Sequence, residues 1–486
     1  MGALVVGAGA VGVPAADESV SGSNASPLVG EIFAGFGVWT HFAGSPARNA
    51  LARTPPGVAG IPPLDDPEWI TDQDDQGRPI FFLTPTGVVV DETSVYAIGT
   101  IAGTDHAIRL ARQTGDVVWA APVPDAAFDS WSTPALDRGN SALVVASDDT
   151  VTALRIGDGA VRWQTTLDSV VVNASPVVTT DLGPRDRCFV TDFPLGVGQP
   201  GQLYCINVDP FDPVENPHQP GDIVWKADLV GQSSGNSPAY AAGRVFVACP
   251  GPAFPVRGAV LAFDARHAGP GAPDPLWRFD NTAATGFFGG VCATGDAVYA
   301  SSYAFSGDEF SANTVRLDAD SGALAWSAPS NRTDTTPVVT RDAVFVSSGL
   351  PEASGFGSFP TVQAFDPGTG ALLWDLVTDS WDDTNANGVR DPGEFVDAGG
   401  WTLQPLVATR LGAPRVVVGA MPSFDPLGLS PSDRLLVLDG AWDGVSGSPL
   451  IDEANGAGTT PAFADGWLFT VGPDGLYAYG PGGGTP

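Results

Sequence analysis

Ala107-Ile-Arg-Leu-Ala-Arg-Gln-Thr-Gly115-Asp-Val-Val-Trp119 returns as Val151-Thr-Ala-Leu-Arg-Ile-Gly-Asp-Gly159-Ala-Val-Arg-Trp163. It returns again as Thr314-Val-Arg-Leu-Asp-Ala-Asp-Ser-Gly322-Ala-Leu-Ala-Trp326, and as Val362-Gln-Ala-Phe-Asp-Pro-Gly-Thr-Gly370-Ala-Leu-Leu-Trp374. In each, a Trp follows the turn Gly by four residues. A fixed phrase recurring at about 45–50 residues is the mark of a repeat architecture. Alternating apolar residues before the Gly and a Trp after it read as two strands joined by a hairpin. The Gly supplies the positive φ that such a turn needs.

Working outward from the phrase gives the rest of the unit. A Pro-containing strand precedes it, as in Ser132-Thr-Pro-Ala-Leu, Ala174-Ser-Pro-Val-Val, Asn236-Ser-Pro-Ala-Tyr, Thr335-Thr-Pro-Val-Val and Thr459-Thr-Pro-Ala-Phe. Pro suits the first residue of a strand, where no ladder N–H is required. A second strand follows, as in Arg244-Val-Phe-Val-Ala or Ala297-Val-Tyr-Ala-Ser. Four antiparallel strands repeated about an axis make a propeller. First strands near residues 85, 132, 174, 236, 289, 335, 403 and 459 give eight blades. The expectation is an all-β, eight-bladed β-propeller of four-stranded antiparallel blades. The last blade has only three strands before Gly480, so Pro67-Glu-Trp69-Ile is expected to supply its fourth and close the ring. The tryptophans read as fillers between adjacent sheets.

The phrase resembles the pyrroloquinoline-quinone-like (PQQ-like) propeller repeat in the form Ala-Phe/Leu-Asp-x-x-Thr-Gly-x-x-x-Trp, over about Pro85–Gly480. Trp39-Thr-His-Phe-Ala-Gly-Ser-Pro-Ala-Arg48 is similar to the lead-in that precedes such propellers. The resemblance implies one of three roles: a quinone-dependent alcohol or sugar dehydrogenase, an envelope propeller assisting outer-membrane barrel assembly, or a secreted interaction propeller. The dehydrogenases use adjacent cysteines joined in a ring, a Trp floor under the quinone, and an axial calcium held by Glu, Asn and Asp. No two cysteines are adjacent here. The lipoprotein form of the assembly factor implies a lipidated N-terminal cysteine, whereas the first cysteine is Cys188. The organisation expected is a signal-like or flexible segment at 1–28, a lead-in and closing strand at 29–84, the propeller at 85–480 and a flexible tail at 481–486.

Net charge is −33 with a single lysine, Lys226, so no basic stripe exists to displace counterions from phosphate, and nucleic-acid binding is excluded. Met1–Val13 is apolar but lacks a basic start, and no run reaches the 18 residues of a membrane span. The protein is expected to be exported: periplasmic, cell-surface or extracellular. Cys188, Cys205, Cys249 and Cys292 pair as 188–205 and 249–292 or stay as free buried thiols; their spacing fits no zinc motif.

Asp383-Thr-Asn385-Ala-Asn387-Gly388-Val389-Arg-Asp391-Pro-Gly-Glu394 matches Asp-x-[Asp/Asn]-x-[Asp/Asn]-Gly-x₅-Glu throughout. Calcium takes six to eight oxygens. The side chains of Asp383, Asn385 and Asn387, the carbonyl of Val389, Asp391 through water, and both oxygens of Glu394 supply that number. The loop resembles those of EF-hand, dockerin and adhesin repeats, except for Arg390 where an apolar β-branched residue is usual. Lying in an insertion at 378–398 without flanking helices, it reads as a structural clip. Two other patterns carry no chemistry. Gly7-Ala-Gly9-Ala-Val-Gly12 runs into Pro14 rather than a helix, and Gly231-Gln-Ser233-Ser-Gly235 leads into a strand. The four histidines do not cluster, so no catalytic residues are assigned. If a ligand binds, it is expected at the axial mouth, where Trp131, Asn173, Asn236, Asp334 and Trp401 precede inner strands; bound PQQ is not expected. The reading is a non-enzymatic, calcium-stabilised platform for a protein partner or ligand, with the dehydrogenase and the barrel-assembly propeller as alternatives.

Overall fold

The computed structural model describes residues 37–481 apart from 55–59, 84, 197–198, 232–235, 252–256, 270, 283–284, 304–310, 352–358, 411–412 and 423–429. The Gly7–Gly12 pattern and most of Gly231–Gly235 lie outside the described residues. Eight antiparallel sheets form the eight expected blades. Each runs from an inner strand at the axis to an outer strand at the rim, as Ala135–Asp137, Ala142–Ser147, Thr150–Arg155 and Val161–Thr166 do in blade 2. The eighth blade is completed as expected: Trp69–Thr71 pairs antiparallel with Gly475–Tyr479, Trp69 opposite Ala478. A single helical turn, Leu376–Asp379, leaves blade 6, capped by Asp375, whose side chain accepts from Thr378 N at 3.0 Å.

The Gly-to-Trp phrase is a contact between neighbouring blades. The Gly of one blade lies flat on the Trp of the blade before it. A Cβ built on Gly115 would come 2.6 Å from the Trp69 ring, on Gly322 2.5 Å from Trp277, and on Gly370 2.7 Å from Trp326. The indole N–H then donates into the same turn region: Trp69 Nε1 to Arg112 O, Trp119 to Ile156 O, Trp277 to Ala319 O and Trp326 to Pro367 O, at 2.8–3.0 Å. Both the positive φ and the missing side chain are therefore used, and each Trp buries its face while its one polar atom is satisfied.

The Ser/Thr-Pro signature has a role that its strand propensity hides. Gly87 N donates to Thr133 Oγ1, Thr133 N to Ser175 Oγ, Ser175 N to Ser237 Oγ, and Thr336 N to Gln404 Oε1, all at 2.7–3.0 Å. The side chain before the Pro of blades 2, 3, 4 and 7 thus bonds the inner strand of the preceding blade, whereas Thr460 of blade 8 donates to Pro85 O at the entry of blade 1.

The lead-in does not merely precede the propeller. It winds inside the axis and bonds one inner strand after another. Trp39 exchanges two hydrogen bonds with Val90 of blade 1. Leu136 N of blade 2 donates to Thr40 O, and Val178 N of blade 3 to His41 Nε2. Tyr240 N of blade 4 donates to Pro46 O, Ala293 N of blade 5 to Ala47 O, Val339 N of blade 6 to Asn49 Oδ1, and Val407 N of blade 7 to Ala50 O. Leu51–Arg53 then adds a parallel fifth strand to blade 7. In each of these seven blades the donor lies three residues beyond the Ser/Thr-Pro position or its equivalent, so the lead-in follows one level of the ring. His41 is buried, and burial holds its pKa well below the usual value. The ring is neutral, as an acceptor at Nε2 requires.

Each blade alternates its turns between two faces. The lead-in runs at the level of the turns between inner and second strands, called here the lower face. On the upper face lie the connections from second to third strands and from each outer strand to the next blade. Of the long insertions, those at 193–201, 304–312, 350–359, 378–398 and 422–433 all belong to upper-face connections of blades 3, 5, 6 and 7, and 210–222 alone belongs to the lower face.

The cysteines do not pair. Cys188 faces Ile206 and Cys205 faces Phe189 across the ladder, a one-residue offset that sends their side chains to opposite faces of the sheet. Cys188 packs with Val144, Val178 and Val190, and Cys205 with Trp225 and Phe263. Cys249 and Cys292 likewise occupy separate apolar clusters, and all four are buried free thiols.

Candidate axial site and calcium-type loop

The upper mouth of the axis is ringed by aromatic side chains carried on upper-face connections. Trp401 meets Trp131 edge to face at 6.4 Å and Tyr303 at 5.4 Å; Phe288 meets Tyr303 at 5.6 Å. Beneath them is a cavity of about 20 Å³, lined by Trp131, Asn173 and Asp334 among others, with Phe42 of the lead-in. The space suits one water-sized group.

Asp334 is the unusual member. Its backbone N–H donates to Trp401 O at 2.9 Å, tying the acid to the collar. Its Oδ1 is shut off from solvent and has no hydrogen-bond partner. Burial pushes the carboxyl up to about 8, so it is largely neutral at pH 7. Asn173 stands in left-handed backbone at φ 59° and accepts weakly from Trp131 N at 3.4 Å. Asn236 does not line the cavity. It is fully buried and its amide donates to Phe287 O at 2.8 Å and Gly289 O at 3.3 Å, fastening blade 4 to the entry of blade 5. Of the five residues expected at the axis, Trp131, Asn173 and Asp334 share one cavity, Trp401 roofs it, and Asn236 is structural. Tyr303 and Phe42 were missed. Tyr303 follows a second strand rather than preceding an inner one, and the lead-in was placed outside the ring.

The collar does not fit a quinone. A fused-ring cofactor over a Trp floor would need Trp131, Trp401 and Tyr303 to separate, whereas they touch edge to face and leave room for one small group. No cysteines are adjacent to form the disulfide ring such enzymes use.

The loop at Asp383–Glu394 gathers its predicted ligands into one network. Asp383 accepts from Asn387 N at 3.0 Å and Gly388 N at 2.9 Å, and Gly388 takes φ +72°. Asn385 and Asn387 both donate their amides to Asp391 Oδ2 at 2.7 Å. Glu394 accepts from Thr384 Oγ1 at 2.8 Å and from the Trp381 indole at 3.3 Å, and the Thr384 hydroxyl leads in holding its carboxyl below the usual range. Among the described residues no three His, Cys, Asp or Glu side chains form a metal-holding group. The loop mixes three carboxylates with two amides, and holding a cation requires both amides to turn their oxygens inward. Arg390, the departure from the calcium pattern, stacks over Phe359 at 5.2 Å and Trp381 at 5.6 Å, which seats the loop on blade 6.

Among solved structures, a europium-containing methanol dehydrogenase superposes with TM-score 0.57 at 10% identity, covering 91% of this chain and 89% of that one. The quinohemoprotein alcohol dehydrogenase of Comamonas testosteroni gives TM-score 0.58 at 11% identity, covering 93% and 81%. At such identities the likeness is one of fold. No curated protein sequence matches the chain. The family model described as outer membrane protein assembly factor BamB matches residues 69–208 and 256–397, more than half of the sequence, and the chain belongs to that PQQ-like propeller family.

Proposed function

We propose that this protein is a non-enzymatic, exported propeller that serves as a calcium-stabilised interaction platform, with its upper face as the working surface. The observation that carries this reading is the division of labour between the faces. The lead-in stitches seven blades together at the lower face, while five of six long insertions belong to the upper face, on blades 3, 5, 6 and 7. Loops on a rigid scaffold are where recognition resides. Phe128, in the upper-face connection from blade 1 to blade 2, is 67% exposed. The family's description as an outer membrane protein assembly factor favours a protein partner and an envelope location. The dehydrogenase alternative requires a mouth that these packed rings do not offer.

A photo-crosslinking amino acid at Phe128 or Trp381 is expected to give discrete adducts in envelope preparations. The same group at Asp158, in a lower-face turn, is expected to give none. Equal labelling from both faces would overturn the reading.

Calcium would act at Asp383–Glu394 as a clip. Two oxygens from Glu394 and one each from Asp383, Asn385, Asn387 and the Val389 carbonyl, with Asp391 through water, make a hard-cation set. Chelator-treated protein is expected to bind one calcium with a rise in Tm, and Asp383→Ala to lose both heat and rise. A ligand at 100 times its Kd adds about 2.7 kcal/mol. Unchanged Tm at millimolar calcium would remove the clip and leave the rest of the reading standing.

A further inference from the structure

We propose that the axial cavity is a receptor for one organic ammonium group, an R–NH₃⁺ head seated on Asp334 beneath the collar of Trp131, Tyr303 and Trp401. Three observations converge on this chemistry. The carboxyl Oδ1 of Asp334 is buried and unpartnered, which is costly unless something arrives to bond it. The collar is built of the ring types whose faces attract cations, and it already holds one, with the Arg332 guanidinium 5.7 Å from the Tyr303 centroid. The space, about 20 Å³, accepts a head group the size of water and excludes a carboxylate or a sugar.

A bare metal ion fits less well. The lining oxygens are largely engaged: Gln404 Oε1 accepts from Thr336 N, Ser175 Oγ from Thr133 N, and Ser237 Oγ from Ser175 N. A metal needs about six oxygens, whereas an ammonium needs three acceptors. Asp334 Oδ1 supplies the charged one. The alkyl portion leaves upward between the aromatic rings, where apolar stems pack well. The net charge of −33 draws cations towards the molecule.

Binding moves a proton in a defined direction. The neutral Asp334 carboxyl loses its proton as the ammonium arrives, giving R–NH₃⁺ against –COO⁻ and one H⁺ released to solvent. The titratable group facing it is the Tyr303 hydroxyl, which burial pushes up to about 12, and Arg332 lies against Tyr303; neither changes charge near neutrality. Affinity should therefore rise with pH through the carboxyl's pKa.

The test is calorimetric titration of the full chain with n-butylammonium and, separately, with Nα-acetyl-lysine N-methylamide, at about pH 7 and about pH 9 in buffers of differing ionisation enthalpy. Saturable one-to-one binding is expected, with close to one proton released at the lower pH and tighter binding at the higher. Asp334→Asn should weaken it about tenfold or more, and Trp401→Leu by several-fold. Asp334→Asn should keep the parent Tm or exceed it, so its loss of binding reports the site. Tighter binding of the lysine derivative identifies a partner's lysine as the source, and tighter binding of the simple amine a free amine; either supports the receptor. No saturation by about 10 mM at either pH, or undiminished binding by Asp334→Asn, overturns it. Because small amines need no protein partner, this outcome is independent of the face-specific crosslinking.

Discussion

Replacing Arg48 by Met is expected to destabilise the whole ring by about 3–5 kcal/mol, read as a lower urea midpoint. Arg48 is completely buried. Its Nε donates to Pro238 O at 3.0 Å, Nη1 to Phe42 O at 3.0 Å, and Nη2 to Ser175 O and Pro176 O at 2.8 Å. One side chain thus joins the lead-in to blades 3 and 4. Burial pulls the guanidinium down to about 9, so it stays charged at neutral pH, with its charge spread over four carbonyl oxygens. Met fills similar volume but leaves those acceptors without a donor, at about 1–3 kcal/mol for each that finds no water. Relief from burying a charge offsets part of the loss, which is why the expected figure is below their sum. The lead-in should also become cleavable by protease under native conditions, since its register depends on this anchor. An unchanged midpoint with an intact lead-in would mean that the lead-in's other bonds, from Val90 to Val407, suffice alone.

How far the molecule could be read in its sequence follows from which interactions repeat. The Gly-to-Trp phrase, the Ser/Thr-Pro strands and the Trp69 closure recur in register because each blade solves the same packing problem, and repetition exposes them. Arg48 solves its problem once. Nothing in Trp39–Arg48 shows that Asn49 pairs its amide with Val339, 290 residues away. The cysteine pairing failed for a related reason. Neighbouring strands placed Cys188 and Cys205 close, but a one-residue offset in register reverses which face each presents, and register depends on loop lengths that spacing alone does not fix. At the axis, Trp131 and Asp334 were legible because they precede inner strands at repeating positions. Asn236 stands one residue nearer its Pro than Trp131, Asn173 and Asp334 stand to theirs, and its amide bonds the backbone of Phe287 and Gly289 instead. A Cβ on Gly290 would lie 2.6 Å from Thr336 Oγ1, so blade 5 lacks the side chain that its neighbours use there.

Gly370→Ala is expected to cost about 3–4 kcal/mol, and two control glycines separate the causes. Gly370 has φ +73° and carries the Trp326 ring 2.7 Å from where its Cβ would stand. An Ala there adopts left-handed backbone, at about 1–2 kcal/mol, and drives a methyl group into a packed indole, at about 1–3 kcal/mol. The indole cannot simply retreat: its Nε1 donates to Pro367 O at 3.0 Å, in the same turn, and Trp326 is buried against Val339, Val344 and Phe365. Gly103→Ala meets the backbone cost alone, because its φ is +84° with nothing within 4 Å. Gly368→Ala meets neither, since its φ is not positive and its nearest neighbour is Asp366 Oδ1 at 3.4 Å. Urea midpoints should therefore fall in the order Gly368→Ala, Gly103→Ala, Gly370→Ala, with only the last altering tryptophan emission in the folded state. Equal losses for Gly370→Ala and Gly103→Ala would show that the phrase keeps its Gly for the turn and not for the Trp of the neighbouring blade.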